Sequence, residues 1–396
     1  MPSHLINFDQ AATSFPKAPP VAAAVHQFLA EQGLNVGRGD YQAATELAQT
    51  VYRCRRQLAA LFGERDAKRL IFSSGVTMSL NQIALGLLRP GDTVITSSME
   101  HNSVLRPLHR LAQRGLRLII VPAESNGCLD PERVEEAYAK ERRLGHKIRA
   151  GFFTAASNLT GSRQPLQEIG QISRRYDAFY IIDAAQALGS FSLAQSELRA
   201  DAFCFPGHKG LLGPQGIGGM LLSERLAETL EPVIAGGTGS YSQELEMPER
   251  LPDRFEAGTL NLPGIVGLAA ALDWLQENLE SGERRLESIY AHKIQLTAYF
   301  LQRLQELELP IRILGPREAE RQVGVVALDI RPQDAAELAT WLDDFQILTR
   351  VGLHCAPLAH ETVGTYPQGA IRFSFGYANT PAEIDQALDV MMRYFA

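Results

Sequence analysis

Three clusters in the sequence bring together residue types that can bind and transform a small charged molecule. In Pro206-Gly207-His208-Lys209-Gly210, an amine follows an apolar run, and a desolvated lysine is both a carbonyl nucleophile and a base. In Ile181-Ile182-Asp183-Ala184-Ala185-Gln186, a carboxylate stands where another apolar run ends, placed either to meet a cation or to cap the next helix. Ser73-Ser74-Gly75-Val76-Thr77 is a small-residue turn leading into a helix-period segment. Its backbone N–H groups suit a phosphate, and its hydroxyls equally suit a plain helix cap. The glycines from Gly213 to Gly219 do not read as a nucleotide loop, because a strand pattern rather than a helix follows them.

Cys355 lies in Arg350-Val351-Gly352-Leu353-His354-Cys355-Ala356-Pro357, beside an imidazole and near a guanidinium. A free thiol is a few per cent thiolate at neutral pH, and nearby positive charge raises that fraction. His354, Cys355 and His360 lack a further sulfur or carboxylate at usable spacing, so a metal site is not expected. Cys54 and Cys204 fall on apolar faces as small core residues, and Cys128 sits in a turn without cationic sequence neighbours. Arg372 is a charge inside an alternating apolar strand; it is either a bidentate clamp for a carboxylate or a residue on the solvent side of a strand edge.

These residues need a scaffold that gathers them. Apolar runs at 69–72, 93–96, 116–121, 149–154, 179–182, 202–205 and 218–222 alternate with helix-period segments, the pattern of βαβ units in a mostly parallel sheet. In the helix before the first run, Leu47, Val51, Cys54, Leu58 and Leu61 share one face. In such sheets ligands bind beyond the carboxyl ends of the strands, which is where the clusters fall. The pattern then changes: two helices broken near 280–283, VGVVALDI, another helix and AIRFSF predict a smaller α+β unit. The expected organisation is an N-terminal segment (1–17) packing near the small domain, a large seven-stranded α/β domain (18–262) and a small C-terminal domain (263–396) carrying the Cys355 loop. Two prolines and two glycines from His354 to Gly369 are compatible with mobility there, and the sequence does not decide whether the loop is ordered.

With 45% hydrophobic and 21% charged residues, the 396-residue chain has ordinary globular composition. Its net charge of −7 argues against nucleic acid or an anionic membrane surface as partner. No basic region leads into an apolar run at the N-terminus, and no apolar stretch spans a bilayer, so a cytoplasmic protein is expected.

Taken in order, FDQAAT, MEHNSV, ASNLTG, DAAQ, GHKG, FEAGTLN, VGLHCAP and IRFSFGYANT resemble, almost end to end, the cysteine desulfurases and selenocysteine lyases among the class V aminotransferase-type enzymes. The resemblance implies the aspartate-aminotransferase-type fold (fold type I) and pyridoxal 5'-phosphate as cofactor. It implies that Lys209 holds the cofactor and moves the substrate's α-proton, that Asp183 faces the ring nitrogen, that Gln186 bonds the phenolic oxygen and that His101 stacks on the ring. Gly75, Val76, Thr77 and His208 would hold the phosphate, with Gly258 and Thr259 reaching it from the other subunit of a homodimer. Arg372, assisted by Asn158, would clamp the carboxylate of L-cysteine or L-selenocysteine, and Cys355 would carry a persulfide to an acceptor protein. Selenocysteine lyase, another C–S lyase, an aminotransferase and a non-catalytic cofactor-binding partner of a sulfur-transfer complex are the alternatives.

The chain departs from the commonest family pattern at Pro206, where a serine usually precedes GHK; proline offers neither hydroxyl nor backbone N–H. A charge-assisted hydrogen bond is worth about 1.5–3 kcal/mol. Pro206→Ser should therefore slow cofactor release relative to the wild type, as followed by cofactor off-rate; equal rates would refute this.

Overall fold

The computed structural model describes residues 5–36, 41–240 and 243–396, so residues 1–4 of the N-terminal segment lie outside the described residues. After a two-residue strand β1 (Ile6–Asn7) come β2 (Leu70–Ser73), β3 (Thr93–Ser97), β4 (Arg117–Val121), β5 (Ile148–Thr154), β6 (Phe179–Asp183), β7 (Ala202–Pro206) and β8 (Gly218–Leu222). Among the described residues these last seven form one sheet in the order β2-β8-β7-β6-β5-β3-β4. β8 alone runs antiparallel to its neighbours, so the other six strands point their carboxyl ends to one side.

Both faces of the sheet are covered, which is why the strands read as continuous apolar runs. Alternate residues divide between two cores: Leu70, Ile182, Phe203 and Leu221 pack on one side, and Ile71, Ile181, Cys204 and Met220 on the other. Residue parity along each strand produces the division. The helix Gln42–Leu61 turns Leu47, Val51, Cys54 and Leu58 into the first core, with Leu61 partly buried against it.

Beyond this sheet, β9 (Arg312–Leu314), β10 (Val325–Asp329), β12 (Arg350–Gly352) and β13 (Ala370–Ser374) form an antiparallel sheet in the order β12-β13-β10-β9. β11 (Ile347–Leu348) pairs in parallel with β1. The N-terminal segment thus adds Ile6 and Phe8 to the core of the C-terminal elements. The helices Leu262–Gln276 and Arg285–Glu306 flank the break read from the sequence. Among the described residues no helix is long and apolar enough to cross a membrane.

One buried ion pair fastens the FEAGTLN loop to the edge of the large sheet. Arg55 and Glu256 are 6% exposed each and meet in two parallel bonds of 2.6 and 2.8 Å. Arg55 also donates to the Leu70 carbonyl, and Glu256 accepts from Phe72 N–H at 2.6 Å. Removing one partner leaves the other charge buried and unpaired, which costs about 3–5 kcal/mol. Glu256→Ala should lower stability by that amount in urea unfolding, and a loss under about 1 kcal/mol would show the pair to be dispensable.

Candidate functional site

The expected site residues arrive on the strand ends. Lys209 follows β7, Asp183 closes β6, Asn158 follows β5, His101 follows β3 and the Ser73–Thr77 turn follows β2. Gly75 has φ +147°, a backbone that side-chained residues rarely adopt, and the helix Val76–Leu87 starts at once. A Cβ on Gly218, the first residue of β8, would come within 2.9 Å of Gly75 Cα and 2.4 Å of the Phe205 carbonyl oxygen. Absence of a side chain there lets the turn sit against the sheet. Ser74 and Thr77 are exposed, leaving the helix's first N–H groups an open approach.

Lys209 lines a cavity with Gln10, Ser14, Gln186, Lys293 and Ser374. Burial lowers its amine to about 8, partly opposed by the negative charges of Asp183 and Asp9. Roughly one lysine in ten is then a neutral amine at pH 7. Asp183 is buried, and desolvation pushes its carboxyl upward; Oδ1 accepts from Ala185 N–H at 2.9 Å and Oδ2 from the Ser103 hydroxyl at 3.3 Å. His101 caps its own helix, Nδ1 accepting from Ser103 N–H at 3.0 Å, so its ring proton resides on Nε2. Ser103 thus touches both His101 and Asp183.

Other expected residues carry contacts the sequence did not show. The Gln186 amide donates to the Ala11 carbonyl at 3.0 Å, and His208 Nδ1 lies 3.1 Å from the Thr13 hydroxyl. Asn158 Nδ2 donates to the His354 carbonyl at 2.7 Å, while its own carbonyl accepts from Arg372 Nη1 at 2.8 Å. Arg372, 2% exposed, does not sit on a solvent edge. Its Nη2 donates to Asp9 at 2.8 Å, and its Nε is buried with no hydrogen-bond partner among the described residues. Gly258 and Thr259 are exposed and line a separate cleft with Arg55, Lys68 and Gly237, sharing no lining residue with the Lys209 cavity.

The cysteines separate by environment. Burial pushes the Cys54 thiol up to about 12 and raises those of Cys204 and Cys128. Cys128 does have a cation nearby, Arg321 at 3.7 Å, supplied from far along the chain. Cys355 is the exposed one, and its carbonyl accepts from Asn102 N–H, next to His101, at 2.8 Å. The segment whose order the sequence left undecided is largely structured: Pro357–Val363 is helical, and Thr362 Oγ1 meets Ser98 Oγ at 2.8 Å. His354 is unlike its expectation. Its ring is buried and depressed to about 3, hence neutral, so it contributes no positive charge to the thiol.

Missed from the sequence were Asp9, Ser103 and Glu100. Glu100 is wholly buried, accepts from Ser97 Oγ at 2.5 Å and Thr154 N–H at 3.0 Å, and is driven up to about 8 by burial. A charged residue wedged between a strand end and a candidate histidine was the available signal.

Four desolvated histidines, His354 and His360 buried and His101 and His208 half-buried, set the acid behaviour. Burial holds His101, His208 and His360 at about 4 and His354 at about 3. Below about pH 6.5 the unfolded chain binds protons at these positions while the folded chain does not, so stability falls with acid until the folded values are reached. Glu100 and Asp183, raised in the fold, act in the opposite direction but are outnumbered. Unfolding of the ligand-free protein should take up roughly two protons between pH 6 and 5, lowering the urea midpoint; a midpoint equal or higher at pH 5 refutes this.

The family model for class-V aminotransferases matches residues 6–387. A protein of Methanothermobacter thermautotrophicus named "Probable cysteine desulfurase" is 32% identical over 94% of this chain and 91% of its own length. The apo structure of a cysteine desulfurase from Thermococcus onnurineus superposes with a TM-score of 0.88 at 29% identity, covering 99% of this chain and 94% of that one. A cysteine desulfurase from Escherichia coli in an S-sulfonic acid form gives 0.84 at 26% identity, covering 98% and 94%. The chain belongs to the class-V aminotransferase family.

Proposed function

We propose that this protein is a cysteine desulfurase that uses pyridoxal 5'-phosphate to convert L-cysteine to L-alanine, with the sulfur passing to Cys355. The observation that carries the reading is the juxtaposition of two chemistries from different sheets. The turn bearing the exposed Cys355 is hydrogen-bonded to Asn102 and Asn158, residues at the same strand ends that present Lys209 and Asp183.

The donor set fits the cofactor. Lys209 is a buried amine with a lowered pKa, suited to hold an aldehyde. Asp183 is a buried carboxylate suited to a cationic ring nitrogen. Gly75, Val76 and Thr77 form a helix start suited to a phosphate, to which His208 is assigned with them, and His101 and Gln186 are assigned to the ring. Bound there, the cofactor supplies the electron sink for charge that develops at the substrate α-carbon.

The chain's own groups perform the rest. Arg372, with its unpartnered Nε, takes the substrate carboxylate, with Asn158 assisting, and Asp9 fixes the guanidinium's other edge. Lys209 Nζ removes and returns the proton at the α-carbon. Cys355 Sγ attacks the substrate sulfur; the new S–S bond forms as the substrate C–S bond breaks, leaving a persulfide that an acceptor protein collects.

Exposure of Thr77, and of Gly258 and Thr259 on a separate cleft, supports a homodimer in which each chain lends the latter pair to its partner's phosphate site. Four unpaired thiols among the described residues support a reducing, cytoplasmic location.

Alanine and sulfide released from cysteine with a reductant test the reading. Cys355→Ala should lower turnover by about a hundredfold or more while retaining the visible absorbance of the bound cofactor, and Lys209→Ala should lose both. Pyruvate as the product, or full turnover by Cys355→Ala, overturns it.

A further inference from the structure

His354 and Cys355 are consecutive non-glycine residues in the left-handed region, with φ of +49° and +56°. Such backbone is unfavourable for a residue with a side chain, so the turn persists only where its surroundings over-determine it. The two carbonyls of the turn are tied to Asn158 and Asn102. What remains is the His354 ring, which is buried whereas the neighbouring Cys355 is exposed.

With the rings of His354 and His360 both held neutral by burial, the His354 ring begins a chain of contacts with one consistent proton arrangement. His354 Nε2 lies 3.3 Å from the Arg350 carbonyl, which can only accept, so Nε2 carries the proton. Nδ1 must then accept, and its neighbour at 3.3 Å is His360 Nε2, which therefore donates. His360 Nδ1 is left as an acceptor, 2.7 Å from Thr365 Oγ1, whose hydroxyl donates. Protons thus point one way, from Thr365 to His360 to His354 to the backbone of β12. A second proton on His354 would set N–H against N–H at His360 Nε2 unless His360 changed tautomer and the Thr365 hydroxyl turned from donor to acceptor. The two rings lie nearly parallel, 10° apart. Thr365 N–H also donates to the His360 carbonyl at 2.8 Å, which fixes the ends of the hydroxyl contact to each other.

We propose that His360 and Thr365 are positioning residues that lock His354 in one neutral tautomer and so hold the Cys355 turn in its outward pose. The inference rests on the reading of Cys355 as sulfur acceptor. It assigns His354 to the scaffold of the turn rather than to deprotonation of the thiol, since both of its nitrogens are engaged away from it.

Thr365→Val keeps the volume and removes the hydroxyl, whereas Thr365→Ser keeps the hydroxyl. Single-turnover sulfur transfer to Cys355, read by mass spectrometry of the persulfide, should slow about tenfold in Thr365→Val with KM for cysteine within about twofold, and should stay near wild type in Thr365→Ser. Imidazole ¹H–¹⁵N correlation spectra should show both rings of the wild type as Nε2–H tautomers at pH 7, with the His360 signals shifted in Thr365→Val. An Nδ1–H or charged ring in the wild type, wild-type transfer by Thr365→Val, or equal slowing in both variants would overturn the relay. Full turnover by Cys355→Ala would instead sink the acceptor reading and leave the tautomer result standing on its own.

Discussion

A guanidinium taken out of water must find a counter-charge and acceptors for its N–H groups, and Arg372 finds them by drawing three parts of the chain together, leaving Nε alone without a partner among the described residues. It projects from β13 of the smaller sheet, takes Asp9 from the N-terminal segment and takes the carbonyl of Asn158 from the loop after β5. Arg350 stands opposite it across the β12–β13 pair, a like-charge placement that alone is unfavourable. Asp9 lies within 3.4 Å of Arg350 and 2.8 Å of Arg372, so one carboxylate offsets both. The cleft between the sheets follows from where these groups meet.

From this join the Cys355 turn inherits its position. Asn158 faces both ways, its carbonyl on Arg372 and its amide on His354. A shift of Arg372 would therefore move the turn, and a shift of the turn would disturb the carboxylate clamp. The expected clamp residue and the expected sulfur acceptor are mechanically one unit, and a substrate that engages Arg372 Nε is presented to a thiol already placed.

What was legible in the sequence followed from local rules. Parallel strands buried on both faces must be apolar throughout, and their carboxyl ends must share a side, so Lys209, Asp183 and the Ser73–Thr77 turn could be grouped from pattern alone, while His101 came only with the family resemblance. The break between the two long helices and the core placement of Cys54 and Cys204 were readable for the same reason. Asp9, Ser103 and Glu100 were not, because each acts through a partner at long range or through a buried hydrogen bond without periodic signature. Arg321 beside Cys128 belongs with them. Proline and glycine content in 354–369 suggested mobility, yet the helix Pro357–Val363 starts on a proline at its first position, where proline is well tolerated.

His354 shows the limit most sharply. Next to a cysteine in sequence, an imidazole suggests a base or a cation, and composition cannot decide where the ring points. Across two successive left-handed residues the His354 ring is buried and Cys355 is exposed. Burial then holds the ring neutral, so proximity in sequence becomes separation in chemistry. Arg372, by contrast, does feel the Cys355 side chain, which links the thiol to the group proposed to hold the substrate.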